Sequence, residues 1–388
     1  MQQEPILSNF HSSSSSSSNI HNFTLSNINL SIANALRRTI LTDIDTYVFY
    51  TENYTDNQCR IIQNTSRLHN EIVKHRLSCI PIHYKLPSPA DEGSNEEYLN
   101  LKDDYILEVD VENNTESIIF ITTKDFKIKN IQTGEYLDDE ITKKIFPPNP
   151  ITNYYIDFVR LRPKMGDSIP GEKLKMNCRF SISNCSVSGM FNVVSKCAYQ
   201  FTPDVSKQNS EWDKIENKMA KDKMSAEDIE FQKKNFYLLD AERYYIPDSF
   251  DFIIETIGVY ENVEIIKKAC VVLISKFISL IREIDSNTIE IIKSVNSAEN
   301  SYDIILEHGE AGGDYTIGKV LEYYLYSEYF IKEKILSFCG FKKMHPHDSF
   351  VSIRVVFIDE TEKTAVKQCL RNACVFAQDI FKKINSKF

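Results

Sequence analysis

The sequence predicts an α+β fold made of two similar modules in one chain, and three observations carry that prediction. A long helical stripe occurs twice. Ile266, Cys270, Leu273, Phe277, Leu280 and Ile284 recur at spacings of 4, 3, 4, 3 and 4. Val366, Leu370, Ala373 or Cys374, Ala377, Ile380 or Phe381, and Ile384 repeat the pattern. Each stripe follows an alternating strand: "PDSFDFIIETIG", with Phe250, Phe252, Ile254 and Thr256 on one face, and "SFVSIRVVFI", with Val351, Ile353, Val355 and Phe357. Each module also has an earlier amphipathic helix, in "NLSIANALRRTILTDI" and in "GGDYTIGKVLEYYLYSEYF". Two half-cores built alike predict a pseudo-dimer folded within one chain.

The elements follow in order. Residues 1–20 contain "HSSSSSSSN". A serine run buries nothing to offset its ordering entropy, so this stretch is predicted to be a disordered tail. The first module is expected over residues 21–50 and 241–285. Its opening helix is capped by Asn29 or Ser31, and Ala33, Leu36, Ile40 and Ile44 recur at helical spacing. Arg37 flanks that apolar face and Arg38 lies further round. Residues 51–240 read as a mostly β inserted domain. "YILEVDVENNTESIIFITT" gives two strand-like runs, "LKMNCRFSISNC" alternates, and "FPPNP" forces a loop. Within this stretch, residues 207–236 are polar and heavily charged, and read as a solvated helical excursion. Residues 286–300 read as a polar linker, and residues 301–388 as the second module.

Composition narrows the function. The chain has 388 residues, 42% hydrophobic and 26% charged, with a net charge of −10. A protein that grips phosphates over a wide surface is usually basic, so nucleic acid is expected to be met only indirectly. No apolar run approaches the ~20 residues of a membrane span. The first residues lack a secretory pattern. Nine cysteines are scattered without C-x-x-C spacing, so neither a zinc site nor a disulfide framework is expected, and an intracellular protein with reduced thiols is. The Asp pairs at 103–104 and 138–139 lie in polar, turn-like sequence, which argues against a magnesium-dependent catalytic centre.

Particular motifs carry a resemblance. "NLSIANALRRTILTDI" resembles the helix signature of the alpha-type assembly subunits of RNA polymerase: the bacterial alpha protein, its archaeal D-type relative and the third-largest subunit of eukaryotic RNA polymerase II. Ser31, Ala33, Asn34, Leu36, Arg37 and Arg38 are its core. "HRLSCIPI" at 75–82 is similar to the family's His-Arg-Leu-Gly-Leu-Ile-Pro-Ile, with Ser78 in place of the glycine. "SVSGMFNVVSKCAYQFTPD" and "PDSFDFIIETIGVYENVEII" resemble the segments leading into the family's last strand and helix. "GGDYTIGKVL" and "FCGFKKMHPHD" are similar to the archaeal L-type protein and the eleventh subunit of RNA polymerase II, through Asp314, Thr316, Gly318, Gly340, His345 and Pro346. The two resemblances cover about residues 22–285 and 302–388.

The resemblance implies two alpha-subunit-type dimerisation modules forming a pseudo-heterodimer in one chain, the first interrupted by the mostly β insert. It implies a non-catalytic assembly platform of a DNA-dependent RNA polymerase, with the largest, second-largest and small subunits as partners. A stand-alone scaffold using the same fold is the alternative. Asn34, Leu36, Arg37, Arg38, His75 and Arg76 are the implied docking residues for the second-largest subunit. Ile40, Ile266, Leu273, Phe277, Leu280, Ile317, Leu321, Leu370 and Ala377 are expected to pair the modules. Asp314 reads as a helix cap and Gly318 as a site of close packing. No metal or cofactor is implied: the cysteine cluster of some relatives is missing. Fusion of the two subunits and the Asn-, Ile- and Lys-rich composition suggest a large DNA virus, hence the host cytoplasm and the virion.

Overall fold

A computed structural model describes residues 4–12, 19–87, 99–166, 168–294, 299–307, 315–345 and 347–388. The chain opens with β1 (Ile6–Ser12), β2 (Ile20–Ser26), α1 (Leu30–Thr42) and β3 (Thr46–Val48). A middle stretch holds β4 (Cys59–Asn64), α2 (Asn70–Ser78), α3 (Leu101–Asp104), β5 (Tyr105–Glu112), β6 (Ile119–Thr122), β7 (Lys127–Asn130), α4 (Asp139–Ile145), β8 (Asp157–Leu161), β9 (Lys173–Arg179) and β10 (Ser181–Ser183). Then come β11 (Val194–Pro203), α5 (Val205–Lys221), α6 (Ala226–Leu238), β12 (Tyr245–Thr256) and α7 (Asn262–Asp285). The last stretch holds β13 (Glu290–Lys293), β14 (Ser301–Glu307), α8 (Tyr315–Tyr324), which runs on as a π-helix over Leu325–Lys332, β15 (Leu336–Lys342), β16 (Phe350–Phe357) and α9 (Lys363–Asn385).

The same topology occurs twice. One four-stranded antiparallel sheet has the order β1-β2-β12-β11, the other β13-β14-β16-β15. In each, two strands lead into a helix (α1 or α8), two more strands follow, and a long helix (α7 or α9) closes the unit. The first copy carries extra chain at two places: β3 to β10 between α1 and β11, and α5–α6 between β11 and β12.

The two sheets share one core. Alternation puts Phe250, Phe252 and Ile254 of β12 inside, and Val351, Ile353, Val355 and Phe357 of β16 do the same in the second sheet. Helices α7 and α9, each ~35 Å long at 1.5 Å per residue, lie against one another. Phe277 stacks on Phe381 at 6.1 Å and 15°. Arg371 of α9 reaches Asp285 at the end of α7, 3.0 Å away, and Lys367 reaches Asn287. Helix α1 packs on both α7 and α8, so it touches each half. Phe388 packs edge-on against Phe23 of β2 at 5.1 Å. Each fully buried Leu, Ile or Phe of this seam stabilises the fold by ~1.5–3 kcal/mol.

A second hydrophobic cluster gathers residues 47 to 180, around the sheet β4-β9-β5-β7 and the ribbon β6-β8. Phe126 meets Phe158 edge-on at 5.4 Å and Phe146 at 5.2 Å. Contacts at one corner tie this cluster to the shared core. Tyr260 Oη donates to the Asp45 carbonyl at 3.0 Å, Lys85 pairs with Glu264 at 2.6 Å, and His83 Nδ1 donates to the Gly258 carbonyl at 3.2 Å.

The structure corrects three expectations. Residues 6–12 are not a disordered tail: they form β1, whose Ile6 and Phe10 are exposed on the sheet's edge. Residues 13–18 lie outside the described residues. The linker 286–300 contains β13, the edge strand of the second sheet. Residues 51–240 are not one unit, because β11 pairs with β12 in the first sheet. The charged excursion is helical and mostly exposed, as expected; it folds as a hairpin around a small core of Trp212, Phe236 and Ala241.

Candidate functional site

Helix α1 is started by Asn29, whose side chain accepts from the Ser31 amide at 2.9 Å. Its apolar face, Ile32, Ala33, Ala35, Leu36, Thr39 and Ile40, is buried. Leu36 is 0% exposed and belongs to the core. The docking role expected for it is therefore corrected: Leu36 lies three residues after Ala33 and four before Ile40, which puts it on the inward stripe. Ile40 and the other expected pairing residues, Ile266, Leu273, Phe277, Leu280, Ile317, Leu321, Leu370 and Ala377, all sit in the shared core.

The outward face of α1 holds Asn34, Arg37 and Arg38. Arg37 donates from Nε and Nη2 to Asn34 Oδ1 at 3.1 and 2.9 Å. This neutral partner fixes the guanidinium plane and leaves its charge uncompensated. The same charge is felt on β11: burial pushes the Cys197 thiol up to about 12, and Arg37 opposes that rise. Arg38 makes no side-chain hydrogen bond or ion pair among the described residues. Helix α1 has two cations and no carboxylate. Asp43, just past its end, is held by Lys276 of α7 at 2.7 Å. So a half-exposed pair of arginines stands on a rigid helix, wedged between the modules, in a chain of net charge −10. Planar forks of this kind bind carboxylates and carbonyls in pairs.

Helix α2 carries the other expected docking residues. His75 is exposed and its side chain makes no hydrogen bond among the described residues. Arg76, also exposed, is used within the chain. Its Nε donates to the Phe158 carbonyl at 2.7 Å and its Nη2 to the Asp157 carbonyl at 2.8 Å, which fastens α2 to the start of β8. Ser78, at the position of the family's glycine, is buried and hydrogen-bonded to Thr51 at 2.5 Å.

The second module's motifs are more structural. A Cβ on Gly318 of α8 would stand 2.1 Å from the Phe341 ring of β15, so only glycine allows this approach. Asp314 and Pro346 lie outside the described residues. His345 and His347 face each other in an exposed loop, ring centroids 5.2 Å apart. Among the described residues, no group of three or more His, Cys, Asp or Glu is placed to hold a metal, and no helix is long and apolar enough to cross a membrane. Asp103 accepts from Asn100, and Asp138 caps α4.

Sequence reading missed the ties that hold this face in place: Lys276–Asp43 between α7 and α1, and Tyr260 onto Asp45. Both join residues more than two hundred positions apart. Only the acidic residue after α1 and the polar position on α7 hinted at the first.

A family model described as the RNA polymerase Rpb3/Rpb11 dimerisation domain matches residues 22–277. That span includes α1, β11, β12 and most of α7. Two archaeal proteins named DNA-directed RNA polymerase subunit Rpo3 are similar over most of their length. The one from Pyrococcus horikoshii is 27% identical over 278 residues, 68% of this chain and 92% of its own. The one from Pyrococcus furiosus is 26% identical over 283 residues, 69% of this chain and 93% of its own. A conjugation stage-specific protein of Tetrahymena thermophila is 38% identical over 60 residues, 16% of this chain and 17% of its own.

Proposed function

Because the chain belongs to the RNA polymerase Rpb3/Rpb11 dimerisation-domain family, we propose that it is a complete assembly platform for a multisubunit DNA-dependent RNA polymerase, with both halves of the family's dimer in one polypeptide. The repeated topology supports this reading most directly. A second sheet-and-helix unit of identical strand order packs on the family-matched unit through α7 and α9. In this reading residues 21–50, β11 and 241–285 are the third-subunit-like module, residues from β13 onward are the eleventh-subunit-like module, and the middle cluster is an insertion.

Covalent linkage has a plain energetic use. It replaces a free partner at ~μM by an effective concentration of ~mM, worth ~4 kcal/mol in pairing free energy. The platform then needs no second chain before it docks the large subunits. Asn34, Arg37 and Arg38 present a preset cationic fork to the second-largest subunit, and His75 adds a contact beyond it. The chain binds and positions; the nucleotidyl transfer belongs to its partners. Fusion and composition support a viral source, with the polymerase working in the host cytoplasm and carried in the virion.

The test is affinity purification of the tagged chain from its source, with mass spectrometry and a transcription assay on the eluate. Recovery of the two largest polymerase subunits with RNA synthesis is the expected result. A monomer, or unrelated partners without synthesis, would sink the reading and leave a scaffold.

A further inference from the structure

Two cysteines face each other across β4 and β9. Cys59 and Cys178 are register partners in this antiparallel pair. The neighbouring pair, Gln58 and Arg179, is hydrogen-bonded: the Arg179 amide donates to the Gln58 carbonyl at 3.2 Å. Ladder bonds alternate along antiparallel strands, so Cys59 and Cys178 form a non-hydrogen-bonded pair. The backbone of Cys59 agrees. Its amide donates to Asn57 Oδ1 and its carbonyl accepts from Asn57 Nδ2, both at 3.0 Å, so neither group turns to Cys178.

That placement has a chemical consequence. Non-hydrogen-bonded partners have Cα atoms ~4.5 Å apart and side chains on one face. A disulfide accepts Cα separations of about 4.4–6.8 Å. Both thiols are free and buried. The Cys178 S–H points either to Cys59 sulfur or to the Arg179 carbonyl, 3.4 Å away. The hydrogen bond from Cys178 holds the Cys59 thiol below its usual range, helped by Lys74 of α2. Burial drives Cys178 the other way. The pair is thus split into a thiolate-prone sulfur and a proton-keeping one, as thiol chemistry requires. Cys59 also lines a surface cavity with Tyr54, Asn57, Arg60, Lys74 and Arg179. A zinc site would need four ligands, and among the described residues no third one joins the pair.

We propose that Cys59 and Cys178 are a thiol–disulfide modification site, oxidised by peroxide that enters through this cavity. Cys59 thiolate attacks one peroxide oxygen. The O–O bond breaks, hydroxide leaves as water after taking a proton, and Cys59 becomes a sulfenic acid. Cys178 sulfur then attacks Cys59 sulfur. The S–O bond breaks, the S–S bond forms, and a second water leaves with the Cys178 proton. Two thiols lose two electrons and one hydrogen peroxide becomes two waters. The product joins β4 to β9 across residues far apart in sequence, beside the helix that carries His75 and Arg76, and a dithiol reductant reverses it.

The test uses the full native chain with hydrogen peroxide, followed by alkylation in denaturant and unreduced peptide mapping. Exposed Cys79 reports that oxidant was active, and buried Cys270 and Cys374 are internal references. The expected product is one Cys59–Cys178 cross-linked peptide, formed at least ~10-fold faster than Cys270 or Cys374 is lost. The cross-linked chain melts higher than the reduced chain, because a long loop is closed in the unfolded state. Cys178→Ala removes both the cross-link and that shift. Oxidation of Cys79 without the cross-linked peptide would overturn the proposal. So would a cross-link that forms only after denaturation.

Discussion

Helices α1 and α8 occupy the same place in two copies of one topology, and their outer faces differ. On α8, Lys319 pairs with Glu322 one turn on, and Glu322 also accepts from the Phe341 amide at 3.0 Å. The charges of that face are spent within the module. On α1, Arg37 is oriented by a neutral amide and Arg38 is unpartnered among the described residues, with no carboxylate on the helix. Two equivalent positions in one chain have thus met different demands. A face closed by its own charges is finished. A face with oriented, uncompensated charge still has bonds to offer. Isolated surface cations are common and weak. The contrast with α8, and the rigid seat between the modules, single out the α1 pair.

The largest expected effect tests whether the copies are one body. Phe277→Ala removes the stack on Phe381 and should cost ~3–5 kcal/mol. Hydrogen exchange read at β2 and β14 should then accelerate together, because both sheets rest on this seam. Phe158→Ala in the middle cluster should cost a similar amount but release β8 and its neighbours first. Loss of protection in only one of the two sheets after Phe277→Ala would mean the modules fold independently.

Next in size is docking. Arg37→Ala with Arg38→Ala removes charge-assisted bonds of ~1.5–3 kcal/mol each. Capture of the large subunits should fall by at least ~100-fold, with the melting temperature nearly unchanged. Lys319→Ala on the equivalent helix should leave capture within ~3-fold. Equal losses from both would erase the distinction between the helices. A collapsed melting curve for the arginine variant would make that pair structural.

Much of this architecture is legible in the sequence, for a physical reason. A helix that buries one face in a shared core must repeat apolar residues at 3 and 4, so α7 and α9 announce themselves, as do β12 and β16 by alternation. The first strand of each sheet does not. β1 and β13 are edge strands with one neighbour each, so little selects their side chains for burial, and both lie in polar sequence. The two boundary errors are the same error made twice. β11 falls within the expected mostly β insert and so to the wrong body, because its partner lies beyond a helical hairpin and pairing across such a gap leaves no local mark. At the candidate site, the motif mixes inward and outward positions of α1. Spacing alone separates Leu36, which faces in, from Arg37 and Arg38. Arg76 has no such signal: its partners are backbone carbonyls some eighty residues away.

Smaller effects sharpen the docking assignment. Arg76→Ala should cost ~1 kcal/mol, since its two bonds to β8 carbonyls are partly open to water. Its readout is faster exchange at the start of β8 with docking retained. His75→Ala should leave stability within ~0.5 kcal/mol, so any loss of capture from it reports the interface alone.

The smallest effect lies at the corner where the middle cluster meets the shared core. Burial holds His83 below the ordinary histidine value of 6.5, while its bond to Gly258 opposes that shift. The folded chain therefore resists a proton that the unfolded chain accepts. This contribution is fully present above pH 6.5 and is lost as pH falls from there through the lower folded value. Melting midpoints of the wild type should drop between pH ~7.5 and ~5.5 more than those of His83→Gln, whose amide can still donate to Gly258 without titrating. Equal pH slopes would place the proton uptake elsewhere. The corner would then be held by Tyr260 and by the Lys85–Glu264 pair.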